Sequence, residues 1–212
     1  LLKSLIDSME GYPESVKFLH NNEGWNHTSP ILSDIIYVKQ EYRAAVENVL
    51  ESYLNYYVVN DLREGLQAVH LLGDNKKGKA NFFLLDKLNA ELGNQQMNPH
   101  SIPGTIAATD VVEYDAKYTN LVKYLLGNVL IAEDESALEN ANGSIILERH
   151  GKYVKGKYSL TGGSVGLFEG NKIGRVKNLE KLEKEIADQE VVVDALKKDI
   201  QSRHDQIGRA HV

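Results

Sequence analysis

Apolar positions change period from one short segment to the next until a single sustained rhythm takes over near the C-terminus. Leu2, Leu5 and Met9 lie three and four apart, the spacing of one helix face. Gly11-Tyr12-Pro13 ends that run, since Gly and Pro both oppose its continuation. Residues 14–20 read as a short helix and residues 21–30 as a polar loop holding the sole tryptophan, Trp25. Residues 31–38 are β-like. Tyr42, Val46, Val49 and Leu50 give residues 40–50 helical spacing. Residues 56–59 form a short β run, and residues 61–72 an amphipathic helix with Asp61 as its N-cap. A basic loop over 73–79 leads to an apolar strand over 80–85.

Residues 88–103 are polar and irregular, and a subdomain boundary is placed there. Beyond it the pattern predicts a β-like stretch over 105–112, a helix over 117–126, a strand over 129–132 and a short helix over 135–141. Residues 144–147, 153–154 and 158–160 read as short strands of a hairpin system, with Gly151 in a turn. The middle of the chain repeats weakly. Asp34-Ile35-Ile36, Tyr42, Val46 and Leu50 recur 76 residues later as Asp110-Val111-Val112, Tyr118, Val122 and Leu126. After a three-residue shortening, Val58-Val59-Asn60-Asp61 matches Ile131-Ala132-Glu133-Asp134. Two related α/β halves sharing one core is the natural interpretation, with coincidence of common amphipathic patterns as its rival.

The rhythm of the tail is the clearest. Leu179, Leu182, Ile186, Gln189, Val193, Leu196, Ile200, Arg203 and Ile207 alternate steps of three and four, which predicts a coiled-coil helix about 40 Å long. Only residues 1–9 could pair with it from within the chain, so the expectation is a pair of antiparallel arm segments cut from a longer protein. The missing initiator Met fits such an excised piece. Residues 208–212 are set aside as foreign to the fold.

Composition narrows the function classes. The 212 residues suffice for one large domain or two small ones with a real core. No apolar run reaches membrane-spanning length. With no cysteine, disulfides and thiolate metal sites are excluded, which fits a reducing compartment. The net charge of −6 disguises an uneven distribution. Arg149, Lys152, Lys155, Lys157, Lys172, Arg175 and Lys177 share their window with one acid, Glu169. Local charge decides contact with phosphate. Tyr153, Tyr158 and Phe168 interleave those cations, a pattern that holds single strands without sequence choice. The competing reading makes the aromatics core or interface and the lysines guardians of an edge.

Other chemistry finds little support. Gly73-Asp74-Asn75-Lys76-Lys77-Gly78-Lys79-Ala80 nearly spells a phosphate-binding loop. However, Ala80 stands where a magnesium-ligating hydroxyl belongs, and a strand follows instead of a helix. The seven histidines are scattered without metal-ligand spacing, and no serine elbow occurs. Asp34, Asp61, Asp110 and Asp134 suit strand ends and helix caps better than acid–base work. No catalytic residue, metal or cofactor is expected within this segment.

Five motifs in order carry a family resemblance. They are Ser33-Asp34-Ile35-Ile36 with Tyr42-Arg43-Ala44-Ala45-Val46-Glu47 and Leu50; Val58-Val59-Asn60-Asp61; Gly78-Lys79-Ala80-Asn81-Phe82-Phe83-Leu84-Leu85-Asp86; Asp110-Val111-Val112 with Tyr118 and Leu125-Leu126-Gly127-Asn128-Val129-Leu130; and Leu160-Thr161-Gly162-Gly163-Ser164. Together they resemble the hinge domain of bacterial SMC (structural maintenance of chromosomes) proteins over about residues 10–178. The resemblance implies a mixed α/β fold of two related subdomains with mixed sheets, flanked by antiparallel coiled-coil helices. On that scheme residues 1–10 are an arm stub, 11–92 and 104–172 the subdomains, 93–103 a linker and 173–207 the C-terminal arm.

The resemblance also implies a homodimer joining two arms and contributing to chromosome condensation and segregation. It implies DNA contact near the coil junction, single-stranded or indifferent to sequence. In the family the ATPase head and the kleisin-type partners lie at the far end of the arms, in a cytoplasmic, nucleoid-associated setting without a membrane. The family's seam motif is matched by Gly151, Gly162 and Gly163, with Tyr158 in place of the middle glycine. The expected seam is therefore Gly151, Tyr158, Gly162, Gly163 and Ser164. Tyr158 could pack across it or stack a base. The expected DNA contacts are Lys152, Lys155, Lys157, Lys172, Arg175 and Lys177. Two rivals remain: a small α/β phosphate-binding enzyme using the 73–79 loop, and a coiled-coil adaptor that does not self-associate.

Overall fold

In the computed structural model, residues 9, 11–25, 29–93, 102–140, 143–164 and 172–210 are described. Helix α1 (Glu14–His20) opens after Pro13, whose fixed φ suits a helix start. A one-turn helix α2 (Leu32–Ile35) and the two-residue strand β1 (Tyr37–Val38) occupy the stretch expected to be a strand. The amides of Leu32 and Ser33 donate to the carbonyls of Tyr56 and Leu54, so contacts from twenty residues away turn β-favouring residues into a helical turn. After a 3₁₀ turn (Gln40–Tyr42) comes helix α3 (Arg43–Leu50), which buries Ala45, Val46, Glu47 and Leu50. Strand β2 (Tyr57–Val59) is fully buried. Helix α4 (Leu62–Asp74) starts as expected at Asp61, whose carboxylate accepts from the Glu64 amide at 2.9 Å.

Strand β3 (Phe82–Leu84) runs straight into helix α5 (Leu85–Leu92). That helix corrects the irregular stretch expected from residue 88. Leu85, Leu88 and Leu92 carry helical spacing, and α5 packs on a helix of the second half, with Asn120 donating to Asn89 at 2.9 Å. The second half contains β4 (Thr105–Ala107), a 3₁₀ turn (Ala108–Val111) and β5 (Val112–Glu113), so the β-like stretch over 105–112 is broken. Helix α6 (Thr119–Leu126) and strand β6 (Val129–Ala132) follow as expected. The helix expected over 135–141 is a 3₁₀ segment (Glu135–Asn140). Strands β7 (Ile145–Glu148), β8 (Tyr153–Lys155) and β9 (Leu160–Gly162) complete the hairpin system, and helix α7 (Arg175–Ala210) is the arm.

The repeat is visible in three dimensions. In the first half β2 and β3 pair in parallel around α4; in the second β6 and β7 pair in parallel around the 135–140 segment. The halves meet where β1 and β5 pair antiparallel, with Tyr37 opposite Glu113, its counterpart 76 residues on. Such a register places a local twofold at that pair. The second half's sheet is mixed, in the order β4-β6-β7-β8-β9, with only β6 and β7 parallel.

One core spans both halves, from Leu32, Ile36, Val46 and Leu50 to Leu121, Val122, Leu126 and Leu147. A second cluster under α4 gathers Val16, Leu19, Trp25, Tyr57 and Leu72. Ile102, Leu130 and Ile146 fill the opposite face of the large sheet. The expected N-terminal arm helix lies outside the described residues, except Met9, which is buried in the second cluster. Along α7, Leu182, Ile186, Val193, Leu196 and Ile200 are exposed, a seam with no partner among the described residues.

Candidate functional site

The hairpin β8–β9 forms the outer margin of the large sheet. Its turn is closed by the Gly156 amide donating to the Ser159 carbonyl at 2.8 Å. Beyond β9 no strand follows among the described residues, so its outer hydrogen-bonding groups are free to pair. Tyr158, 88% exposed, sits in the hairpin turn and not in the strand expected over 158–160, and Leu160, which opens β9, is 68% exposed. Thr161, Gly162, Gly163 and Ser164 are exposed too.

The glycines have different tasks. A Cβ on Gly162 would lie 3.0 Å from both the Lys152 carbonyl oxygen and the Tyr153 Cβ, so the close approach is to its own hairpin. Gly151 departs from the expected seam. It is buried against α3, at φ +83, with its carbonyl accepting from Asn48 Nδ2 at 2.6 Å. It serves the turn behind the edge, whereas Gly162 ends the edge strand β9, Gly163 and Ser164 directly follow it, and Tyr158 sits in the hairpin turn.

A second open margin belongs to the first half. Among the described residues nothing pairs with the outer side of β3. Trp25 sits nearer Tyr57 of β2 (4.8 Å) than Phe82 of β3 (6.3 Å), and its indole donates toward the Glu64 carbonyl. Helical spacing then puts Leu62, Leu66 and Val69 on the opposite flank of α4, the β3 side. All three are close to half exposed. On the other face of β3, Phe83 packs with Tyr53, Tyr56 and the exposed Tyr124 at ring separations of 5.0–6.4 Å. Periodicity placed Leu62, Leu66 and Val69 on an amphipathic helix. It carried no signal that this flank would stay uncovered.

The seven basic residues of the 149–177 window divide into two groups. Arg149 reaches across the halves to Glu133 (2.9 Å) and to Glu41, with its guanidinium 5.2 Å from the Tyr42 ring. Lys172 pairs with Glu51 at 3.0 Å and Lys177 with Glu113 at 2.9 Å. The Lys177 hydrogen bond holds the Glu113 carboxyl below its usual range. Arg175 lies 5.6 Å from the Tyr12 ring and beside Asp34. All four cations are engaged, Arg149 beside the 3₁₀ turn at Glu41 and Tyr42 and the other three at the root of the arm. Lys152, Lys155 and Lys157 have no carboxylate within ion-pair distance among the described residues. Lys157 caps the Tyr158 ring at 5.1 Å. Of the expected DNA contacts, the fold therefore leaves the three hairpin lysines open and occupies Lys172, Arg175 and Lys177. Phe168 and Glu169 lie outside the described residues.

The loop over 73–79 does not form a phosphate cradle. It follows the C-terminus of α4, the negative end of the helix dipole. The amides of Asn75, Lys76 and Lys77 are spent on the carbonyls of Leu71, Gly73 and Leu72. Among the described residues there is no cluster of three potential metal ligands, and no helix is long and apolar enough to cross a membrane.

Two α/β halves about a local twofold, open strand margins among the described residues and a long helix with a bare apolar seam define a mixed α/β domain that carries a coiled-coil-like arm. The family model for the SMC proteins Flexible Hinge Domain matches residues 26–141, and the chain belongs to that family. It is 29% identical over 192 residues to the Chromosome partition protein Smc of Chlorobaculum tepidum, covering 88% of this chain and 16% of that protein. Against the Smc protein of Desulfitobacterium hafniense it is 31% identical over 195 residues, covering 87% and 16%. The chain thus spans about a sixth of the length of these relatives. Among solved structures it is similar to an asymmetric dimer of the Geobacillus stearothermophilus SMC hinge domain (TM-score 0.75, 20% identity, 98% of this chain and 86% of that one). It also resembles the Pyrococcus furiosus Smc hinge domain with an extended coiled coil (TM-score 0.60, 21% identity, 94% and 73%). These likenesses support the expected fold.

Proposed function

We propose that this hinge domain joins two copies of its chain by adding β9 of one protomer to the open side of β3 in the other, so that a twofold makes the contact twice. One observation carries the reading: among the described residues, β9 and β3 each leave an outer side unpaired beside exposed apolar side chains. The first bears Leu160, with Tyr158 in the turn before it, and the other is flanked by Leu62, Leu66 and Val69 on one face and Phe83 and Tyr124 on the other. Backbone pairing satisfies both edges at once, and closure leaves neither to aggregate. The Geobacillus hinge domain, to which the chain is similar, was solved as an asymmetric dimer, which supports self-association; the pairing of β9 with β3 rests on the margins alone. Sedimentation at micromolar concentration should give a dimer. A chain that remains monomeric at tens of micromolar would refute it.

Lys152, Lys155 and Lys157 of the same hairpin bind DNA without sequence preference, as cations with no carboxylate at ion-pair distance among the described residues suit. In the longer protein the arms lead away to an ATPase head and its kleisin-type partners. The whole serves chromosome partition in the cytoplasm, at the nucleoid, as the names of the Smc relatives suggest.

A further inference from the structure

The arm leaves the second half in sequence, yet it is rooted on the first half. Its root is held by residues of α2, β1 and α3. The Gly174 amide donates to the Ser33 carbonyl at 2.8 Å, and Arg43 donates to the Asn178 side chain at 3.2 Å. Lys177 and Lys181 lie 4.7 and 3.8 Å from the Tyr37 ring centre. Residues 177, 178 and 181 share one helix face, and Gly174 immediately precedes the helix. At 100° per residue, that face lies roughly 120° round the axis from the seam residues Leu179, Leu182 and Ile186. One side of the arm thus docks on the domain while the seam stays available to a second helix.

The cation–π contacts, like the exposed ion pairs of Lys172 and Lys177, individually hold little, and salt screens the ion pairs. Glu47 differs. It is 3% exposed, and one carboxyl oxygen accepts from the backbone amides of both Lys172 and Ile173, the latter at 2.8 Å. Ile173 itself is buried in the main core. Buried amides stripped of their acceptor are costly, so these bonds select one backbone path at the root. We infer that Glu47 is a positioning residue: it locks the root of α7 to α3 and so fixes the direction in which the arm leaves the domain. This rests on reading α7 as an arm and is independent of dimerisation or DNA contact.

The chain has no cysteine, so a spin-label pair can be introduced cleanly at Arg63→Cys on α4 and Lys198→Cys on the arm. Electron–electron double resonance on labelled chain diluted in excess unlabelled chain reads the distance within one protomer, whatever the oligomeric state. The wild-type background should give one narrow distribution. Glu47→Ala should at least double its width. Glu47→Gln, which keeps an acceptor oxygen, should restore most of the narrowness. Glu51→Ala, which removes only the exposed pair with Lys172, should leave it unchanged. A Glu47→Ala distribution as narrow and as centred as wild type overturns the proposal. Should that variant not fold, hydrogen exchange on the unsubstituted chain decides. The Lys172 and Ile173 amides should be protected to within about tenfold of Leu147 in β7, and exchange as fast as the exposed turns of α7 overturns the proposal.

Discussion

Leu160→Ala isolates the proposed contact between copies. In the single chain Leu160 is 68% exposed, so removing most of its side chain should change monomer stability by less than about 0.5 kcal/mol. Burying a leucine fully is worth about 1.5–3 kcal/mol. Scaled to the exposed fraction and to the atoms removed, the loss is about 0.8–1.5 kcal/mol per contact. A twofold dimer makes the contact twice, so about 1.5–3 kcal/mol is lost and the dissociation constant rises roughly 10- to 150-fold. Sedimentation equilibrium over a dilution series reads that change directly, with thermal melts at concentrations where both proteins are monomeric as the stability control. Leu196→Ala, an equally bare leucine on the arm, should leave the constant unchanged. A shift for Leu160→Ala below about threefold, with the fold intact, would refute the pairing of β9 across the dimer.

Gly151→Ala should destabilise the chain by about 1–3 kcal/mol in urea unfolding, because φ is +83 and the new Cβ meets Asn48 and Ala44 at 3.1–3.2 Å. Ile173→Ala, 1% exposed in the shared core, should cost about 2–5 kcal/mol in the same assay. Replacing Lys152, Lys155 and Lys157 together with Glu should weaken single-strand binding and flatten its salt dependence; an unchanged slope in a fluorescence titration excludes the hairpin lysines as phosphate contacts. The Asp34 carboxyl is crowded by neighbouring atoms even though the residue retains exposed surface. Desolvation pushes it up to about 6, with Arg175 and Ser33 opposing that shift only in part. The folded chain therefore binds this proton more tightly than the unfolded one, so the contribution is full below about pH 4 and lost as pH rises through 6. Relative to Asp34→Asn, wild type should lose stability between pH 4.5 and 7.5, and an equal difference in urea midpoint at both pH values would contradict this.

Local period was enough to find α1, α3, α4, α6, the buried strands β2 and β6 and the β7–β9 hairpin system, since each carries its pattern within a few neighbouring residues. Leu85, Leu88 and Leu92 carried the same signal for α5, but the polar residues between and after them obscured it. Residues 31–36 could not be read this way, because their conformation answers to carbonyls at Leu54 and Tyr56. The heptad of the arm, the 76-residue repeat and the order of five motifs were all legible in the chain, and they identify the family.

Which groups are free to act was decided only by tertiary structure. Adjacency in sequence gathered seven cations into one window. Folding brought Glu41, Glu51, Glu113 and Glu133 from elsewhere to engage three of them and left the hairpin lysines open. In the same way it buried Gly151, bared Leu62, Leu66 and Val69, and set Glu47 under the root of the arm. Periodicity reports the side of an element on which apolar groups gather. Charge pairing, edge exposure and a carboxyl beneath a distant backbone depend on contacts between separate segments of the chain, for which no short stretch of sequence carries a sign.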